Sequence, residues 1–168
     1  MARTGRRRPF SPPPRERRPL NADETIRRLG LIPHPEGGFY REMFRSDAVV
    51  TLPDGRRRSA STAILYLLPA GGWSAWHRVG SDEVWHHYEG APLRLRRLGH
   101  PEIRLDTTRP QAVVPAGVWQ AAEPMGGAVL CGCTVSPGFE FQDFELGDRE
   151  ALLRQFPGEA ALIRRLTR

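Results

Sequence analysis

Between residues 38 and 145 the chain is a succession of short apolar runs, each stopped by glycine or proline. "GFYREMFR" alternates, "TLPDGRRR" carries a Pro-Asp-Gly turn, and "STAILYLL" is a continuous apolar run broken by "PAGGW". "DEVWHHY", "LRLRRL", "QAVV", "VWQAAE", "AVLCGCTV" and "FEFQDFEL" follow, separated by "EGAP", "GHPE", "PAG", "PMGG" and "SPG". Runs this short leave no room for helices. Strands of this length with Gly/Pro turns build a β-sandwich or small barrel. Helices are expected only outside this region. "NADETIRRLG" has Asn21 at the N-cap position, Glu24 three residues on, and Gly30 where a helix ends. "LIPHPEGG" then reads as a loop, and "GDREALLRQF" and "EAALIRRL" as two short C-terminal helices. The expected fold is mainly β with short N- and C-terminal helices.

A chain of 168 residues suits one domain with a real core, expected over residues 21–168. Residues 1–20 are rich in Pro and Arg and offer little to bury, so they are expected to form a disordered tail. Seven Arg and one Glu lie within residues 1–19, which therefore carry the whole formal charge of +6. The basic character belongs to the tail and not to the fold. A short charge run alone is a poor nucleic-acid motif, so nucleic acid is not an expected partner. Every basic residue is Arg and none is Lys, which reads as coding bias. No apolar run approaches the roughly eighteen residues of a membrane span, and the N-terminus lacks the apolar stretch of a secretory signal. A cytoplasmic protein is expected, with no membrane partner. Cys131 and Cys133, two apart on one strand, face the same way and read as buried free thiols. Neither a P-loop nor a dinucleotide-binding fingerprint is present.

The chemistry-bearing stretch is "WHRVGSDEVWHHYEG", residues 76–90. Gly71, five residues and His77, then Glu83, six residues and Gly90, keep the spacing of the first cupin motif. The second His of that motif is replaced by Val79. "PAGVWQ" supplies Pro115 and Gly117 of the second motif, with Gln120 where a His is usual. "LGLIPHPEGGFYRE", "HRVGSDEVWHHYEG", "QAVVPAGVWQAAEP" and "GCTVSPGFEFQDFEL" together resemble the Cupin_5 family, formerly a domain of unknown function numbered 985. The resemblance covers roughly residues 24–146. It implies a jelly-roll cupin, usually a homodimer, related in shape to deoxysugar epimerases. It also implies that Val79 and Gln120 follow the family pattern.

His77 and Glu83 are read as inward-facing residues of neighbouring strands joined by "VGSD", an acid/base or ligand pair. The alternative is a buried His–Glu hydrogen bond that holds a hairpin together. As metal ligands, His77 and Glu83 would have only Gln120 as a poor third donor. No cofactor is expected to be required, and a weakly bound divalent metal is the most such a set would hold. Further ligand-binding candidates are Trp85, His86, His87 and Arg41. Strand parity puts Glu83, Trp85 and His87 on one face and His86 on the other, whereas the family pattern keeps His86. A bulge, or a site using both faces at a dimer interface, would reconcile the two. Trp85 and Trp119 read equally as core, and Arg41, beside Tyr40 and Glu42, equally as a surface ion pair. His34 and Glu36 sit on a rigid loop that serves a site or ties itself together. His100 reads as an exposed turn residue. The expected function is binding of a small polar metabolite in the barrel, with isomerase-, epimerase- or lyase-type proton transfer by His77 and Glu83. The alternatives are a non-catalytic binder and a metal-dependent cupin enzyme.

Overall fold

A computed structural model describes residues 19–168. The expected tail lies outside the described residues up to position 18. Leu20, which the sequence assigns to that tail, packs with Ile26 and Leu29 against a cluster of Leu31, Leu67 and Leu130.

The first element among the described residues is α1 (Ala22–Leu29). Asn21 caps it as expected: its side-chain oxygen accepts from the Glu24 N–H at 3.1 Å. Gly30, in the left-handed region, ends it by donating to the Arg27 and Ile26 carbonyls. Thirteen strands follow: β1 (Ile32–Pro33), β2 (Phe39–Arg45), β3 (Val49–Thr51), β4 (Arg57–Ser59), β5 (Thr62–Leu68), β6 (Ser74–Val79), β7 (Asp82–Gly90), β8 (Leu93–Arg97), β9 (His100–Leu105), β10 (Gln111–Val114), β11 (Gln120–Pro124), β12 (Val129–Ser136) and β13 (Phe144–Leu146). The two helices α2 (Arg149–Gln155) and α3 (Ala160–Leu166) close the chain.

The strands form two antiparallel sheets. One has the order β1-β2-β5-β12-β7-β10 and the other β13-β6-β11-β8-β9. The Pro-Asp-Gly turn joins the separate hairpin of β3 and β4. His100 opens β9 and is exposed as expected, but it belongs to a strand and not to a turn. Since β9 pairs only with β8, its Pro101 costs no ladder bond on the free side.

The main core lies between the sheets and includes Tyr66, Leu68, Trp85, Leu93, Leu95, Leu105, Val114 and Val129. Cys131 and Cys133 belong to it, both as free thiols. A second cluster lies behind the five-stranded sheet. There Trp76, Trp119 and Ala121 meet Leu152 of α2 and Ile163 and Leu166 of α3. Each of the large side chains there contributes about 1.5–3 kcal/mol by leaving water. The apolar face of β6 is therefore its outer face. That parity turns His77 inward. Among the described residues no helix is long and apolar enough to cross a membrane.

Candidate functional site

His77 and Glu83 are not partners in a hairpin. β6 pairs with β11 and β13, whereas β7 pairs with β12 and β10. The chain changes sheets at "GS", so the two side chains approach from opposite walls of the barrel. Both are buried. They line a cavity of about 130 Å³ with His34, Glu36, Tyr40, Glu42, Arg45, Tyr66, Val79, Cys133, Phe139, Glu140, Phe141 and Phe144.

At the floor of this cavity the imidazole of His77 meets Glu36. His77 Nδ1 donates to the Ala75 carbonyl at 2.8 Å, which leaves Nε2 aimed at Glu36 Oε2 at 3.4 Å. Glu36 Oε1 accepts from the Ser74 hydroxyl at 2.9 Å. The His34 Nδ1 accepts the Glu36 N–H at 3.3 Å and lies 3.4 Å from the same Oε2. With both imidazoles neutral, Oε2 faces two ring lone pairs unless a proton lies between them. Glu36 and His77 thus share a proton position.

The loop carrying Glu36 is fixed at its backbone. Its carbonyl accepts from the Ala75 N–H at 2.8 Å and from Arg168 Nε at 3.0 Å. Gly37 sits at φ 113°, and a Cβ there would come within 2.3 Å of the Trp73 carbonyl oxygen. Only glycine fits this approach.

Glu83 is held from the other side. Gln120 Nε2 donates to Glu83 Oε2 at 2.5 Å, and Gln120 Oε1 accepts from Trp85 Nε1 at 2.9 Å. The amide is thereby oriented with its oxygen away from the cavity. That removes the third donor from the set of His77, Glu83 and Gln120. Val79, at the second-His position, adds an apolar wall. Among the described residues no three His, Cys, Asp or Glu side chains converge on a common metal position. The donors present do not fit a metal centre.

Burial raises the Glu36 carboxyl above its ordinary range, opposed by His34 and the Ser74 hydrogen bond. Burial likewise raises Glu83, opposed by His77. It lowers His77, opposed by the charge of Glu83. An acid with a raised folded-state pKa adds stability below its unfolded value, here 4.5, and loses it as pH rises through the folded value. Glu83→Gln is therefore expected to stabilise the protein by about 0.5–2 kcal/mol at neutral to alkaline pH and not at acid pH. Chemical denaturation at about pH 4 and about pH 8 checks this. Equal gains at both would show that burial of the charge is not the cause.

The remaining candidates lie elsewhere. Arg41 points outward and donates to the Leu29 carbonyl at 3.0 Å, tying down the end of α1. Its neighbours Tyr40 and Glu42 face the cavity instead. Trp85 lies in the core, edge to face with Tyr66 at 5.7 Å. Trp119 lies behind the other sheet beneath Arg78. His86 is on the outer face, bonded to Thr134 and Gln111 at 3.0 Å each. His87 keeps the inward parity of Glu83 but does not line the cavity; its Nε2 lies 3.0 Å from the Ala91 carbonyl oxygen.

Sequence reasoning missed Arg45 and the aromatic wall of Phe139, Phe141 and Phe144. "FEFQDFEL" reads as a strand, yet residues 141–143 form a single 3-10 turn and only Phe144–Leu146 is strand. Arg58 Nε bonds Asp143 at 2.6 Å, and Arg56 also reaches that carboxylate. These latches turn the segment across the barrel mouth. The acidic residues of the segment, Glu140, Asp143 and Glu145, set against the arginine-rich hairpin, were the available signal.

Comparison with known proteins agrees with this architecture. A hypothetical protein from Leishmania major is 31% identical, over 88% of this chain and 99% of that one, with a TM-score of 0.81. Protein SO0799 from Shewanella oneidensis is 38% identical, over 89% and 98%, with a TM-score of 0.78. A cupin-2 domain protein from Rhodospirillum rubrum shares the fold at 15% identity, over 82% and 89%, with a TM-score of 0.58. No match was found among curated proteins. The model of the Cupin_5 family, described as cupin superfamily (DUF985), matches residues 23–147. With that match across most of the chain and two full-length likenesses above 30% identity, the chain belongs to the Cupin_5 family of the cupin superfamily.

Proposed function

We propose that the barrel cavity binds a small polar metabolite and moves protons on it, as an isomerase, epimerase or lyase does. The observation that carries this reading is the Glu36–His77 contact. A tautomer fixed at Nδ1 leaves Nε2 opposite a carboxyl oxygen at 3.4 Å inside a buried cavity. An imidazole in that setting can pass a proton across the contact, and burial, which lowers its pKa from the ordinary histidine value, keeps it neutral and ready to accept one. Glu83, on the facing wall, is the second acid/base group. Two such groups on opposite sides of one ligand are what removal at one face and return at another require.

Incubation of the protein with a panel of small metabolites in heavy water tests the reading. Deuterium entering a carbon position of one compound is the expected result. No incorporation across compounds that bind would leave the second reading, a non-catalytic binder. The aromatic share of the cavity wall favours that second reading.

We infer, too, that the protein forms a homodimer through the outer face of the six-stranded sheet. Met43, Phe44, Tyr88 and Val113 on β2, β7 and β10 are each more than half exposed. Tyr88 stacks on His86 at 6.2 Å and lies over Gly132, where a Cβ would come within 2.5 Å of its hydroxyl. A flat apolar face of this kind is suited to a two-fold contact. Light scattering is expected to give a dimer for the wild type and a monomer for Tyr88→Glu. A monomeric wild type would count against the interface.

A further inference from the structure

The charges around the cavity do not balance. Four carboxyl groups line it, from Glu36, Glu42, Glu83 and Glu140, against the single guanidinium of Arg45. Four of the five N–H groups of Arg45 are engaged, three with carboxylates and one with a backbone carbonyl. Nε and Nη2 take both oxygens of Glu42, at 3.0 and 2.8 Å. Nη1 donates to Glu140 at 2.7 Å, and Nη2 also meets the Phe139 carbonyl at 3.2 Å. An anionic ligand would have to displace two carboxylates to reach it.

Glu36 and Glu83 have no guanidinium partner; Glu36 faces only the titratable imidazoles of His34 and His77, at 3.4 Å each. Their donors are the Ser74 hydroxyl and the Gln120 amide, both neutral. Among the described residues no Arg side chain comes within ion-pair distance of either carboxylate. Buried carboxyls without a cation are costly to ionise, and a ligand that brings the charge removes that cost.

Beside this floor stands an aromatic wall: Phe144 lies 5.5 Å from the His77 ring and 5.7 Å from His34, and Phe141 stacks on His34 at 6.0 Å. The rings of Phe139 and Phe141 lie 5.1 Å apart and nearly perpendicular, and Phe144 lies 6.0 and 6.1 Å from the two. Phenyl rings offer nothing to the hydroxyls of a polyol. Toward a positive charge within about 6 Å of the ring centroid each presents the negative face of its quadrupole.

We propose that the ligand of this cavity is a small organic cation, a protonated amine or quaternary ammonium, held between the carboxyl groups of Glu36 and Glu83 and the rings of Phe139, Phe141 and Phe144. The cavity of about 130 Å³ limits the ligand to a compact molecule. This inference rests on the reading of the cavity as a ligand site and adds the ligand's charge class. Carboxylate and ring then divide the work: the carboxylates select charge, and the rings select a weakly hydrated cation over an inorganic ion.

Calorimetry on the full chain tests it with methylammonium, tetramethylammonium and choline as probes. Neohexanol, the uncharged carbon analogue of choline, and tert-butylacetate, its anionic counterpart, serve as controls. At least one cation is expected to bind about tenfold more tightly than neohexanol, with no binding of the anion. Glu83→Gln is expected to lower cation affinity by about tenfold and to leave neohexanol unchanged. Phe141→Ala, on the wall, is expected to weaken the quaternary cations more than methylammonium. Neohexanol or tert-butylacetate binding as tightly as choline would overturn the cation class while sustaining the ligand-site reading. Failure of all three cations at millimolar concentration would overturn the class as well. The ligand-site reading would then stand or fall on the deuterium-exchange panel, which contains compounds of every charge.

Discussion

His77→Asn is expected to cut deuterium incorporation by about 10²–10⁴-fold, the usual contribution of a positioned general acid or base. Unfolding should stay cooperative. The Asn amide can still donate to the Ala75 carbonyl, the bond that His77 Nδ1 makes at 2.8 Å, so the structural part of the residue survives. What is lost is Nε2 and its proton. Glu36→Gln removes the other end of the same contact and should fall in the same range, because an amide cannot accept the proton that passes across 3.4 Å. The double substitution is expected to be little worse than either single one, as for two residues acting as a unit. Wild-type exchange rates in both single variants would remove the pair from the chemistry and leave the aromatic cavity as a binding site alone.

That pair was only half legible in the sequence. His77 could be placed because its spacing from Gly71 is a motif. Glu36 reads only as a loop residue that serves a site or ties its own loop, and its meeting with His77 was not legible, since it reaches the barrel from a loop some forty residues earlier in the chain. What brings it there is backbone: the glycine at 37 against the Trp73 carbonyl, and the Ala75 N–H on its own carbonyl. Such contacts leave no periodic trace. Most of the strands were legible for the opposite reason, since alternation and Gly/Pro stops are local; β1, which reads as part of a loop, and β9, whose His100 reads as a turn residue, were not. Pairing was not. "VGSD" looks like a hairpin turn, yet local sequence does not distinguish two strands that bond to each other from two that pass between facing sheets. Strand parity put His86 and His87 on the correct faces. It could not say how far along the barrel each would lie, so His87 faces inward and still misses the cavity. The mouth segment misled because Phe139, Phe141 and Phe144 alternate with polar residues almost as a strand does. Asp143, drawn to Arg58 and Arg56, overrides that preference.

Trp85 is where the stability of the core and the chemistry of the cavity meet, and its removal has the largest expected effect on folding. Trp85→Ala should cost about 3–5 kcal/mol, the range for deleting a buried large aromatic side chain. For a chain of this size that is roughly a 10 °C fall in melting temperature. Trp85→Phe separates two contributions. Phenylalanine keeps most of the ring that packs edge to face on Tyr66 but has no N–H. Gln120 Oε1, fully buried, then has no donor, at a cost of about 1–3 kcal/mol. The consequence runs on to the site. With its oxygen no longer fixed, the Gln120 amide is free to turn, and the hydrogen bond it gives Glu83 at 2.5 Å weakens. That bond favours the ionised carboxylate, so Glu83 should titrate at higher pH in Trp85→Phe than in the wild type. Thermal unfolding measures the first effect, and carboxyl-carbon NMR of labelled Glu83 the second. A Phe variant that melts with the wild type and leaves the Glu83 titration in place would show that Trp85 only fills space. A variant that melts lower and shifts the titration upward would show that one indole N–H, on the far side of a glutamine, sets the charge of the cavity wall.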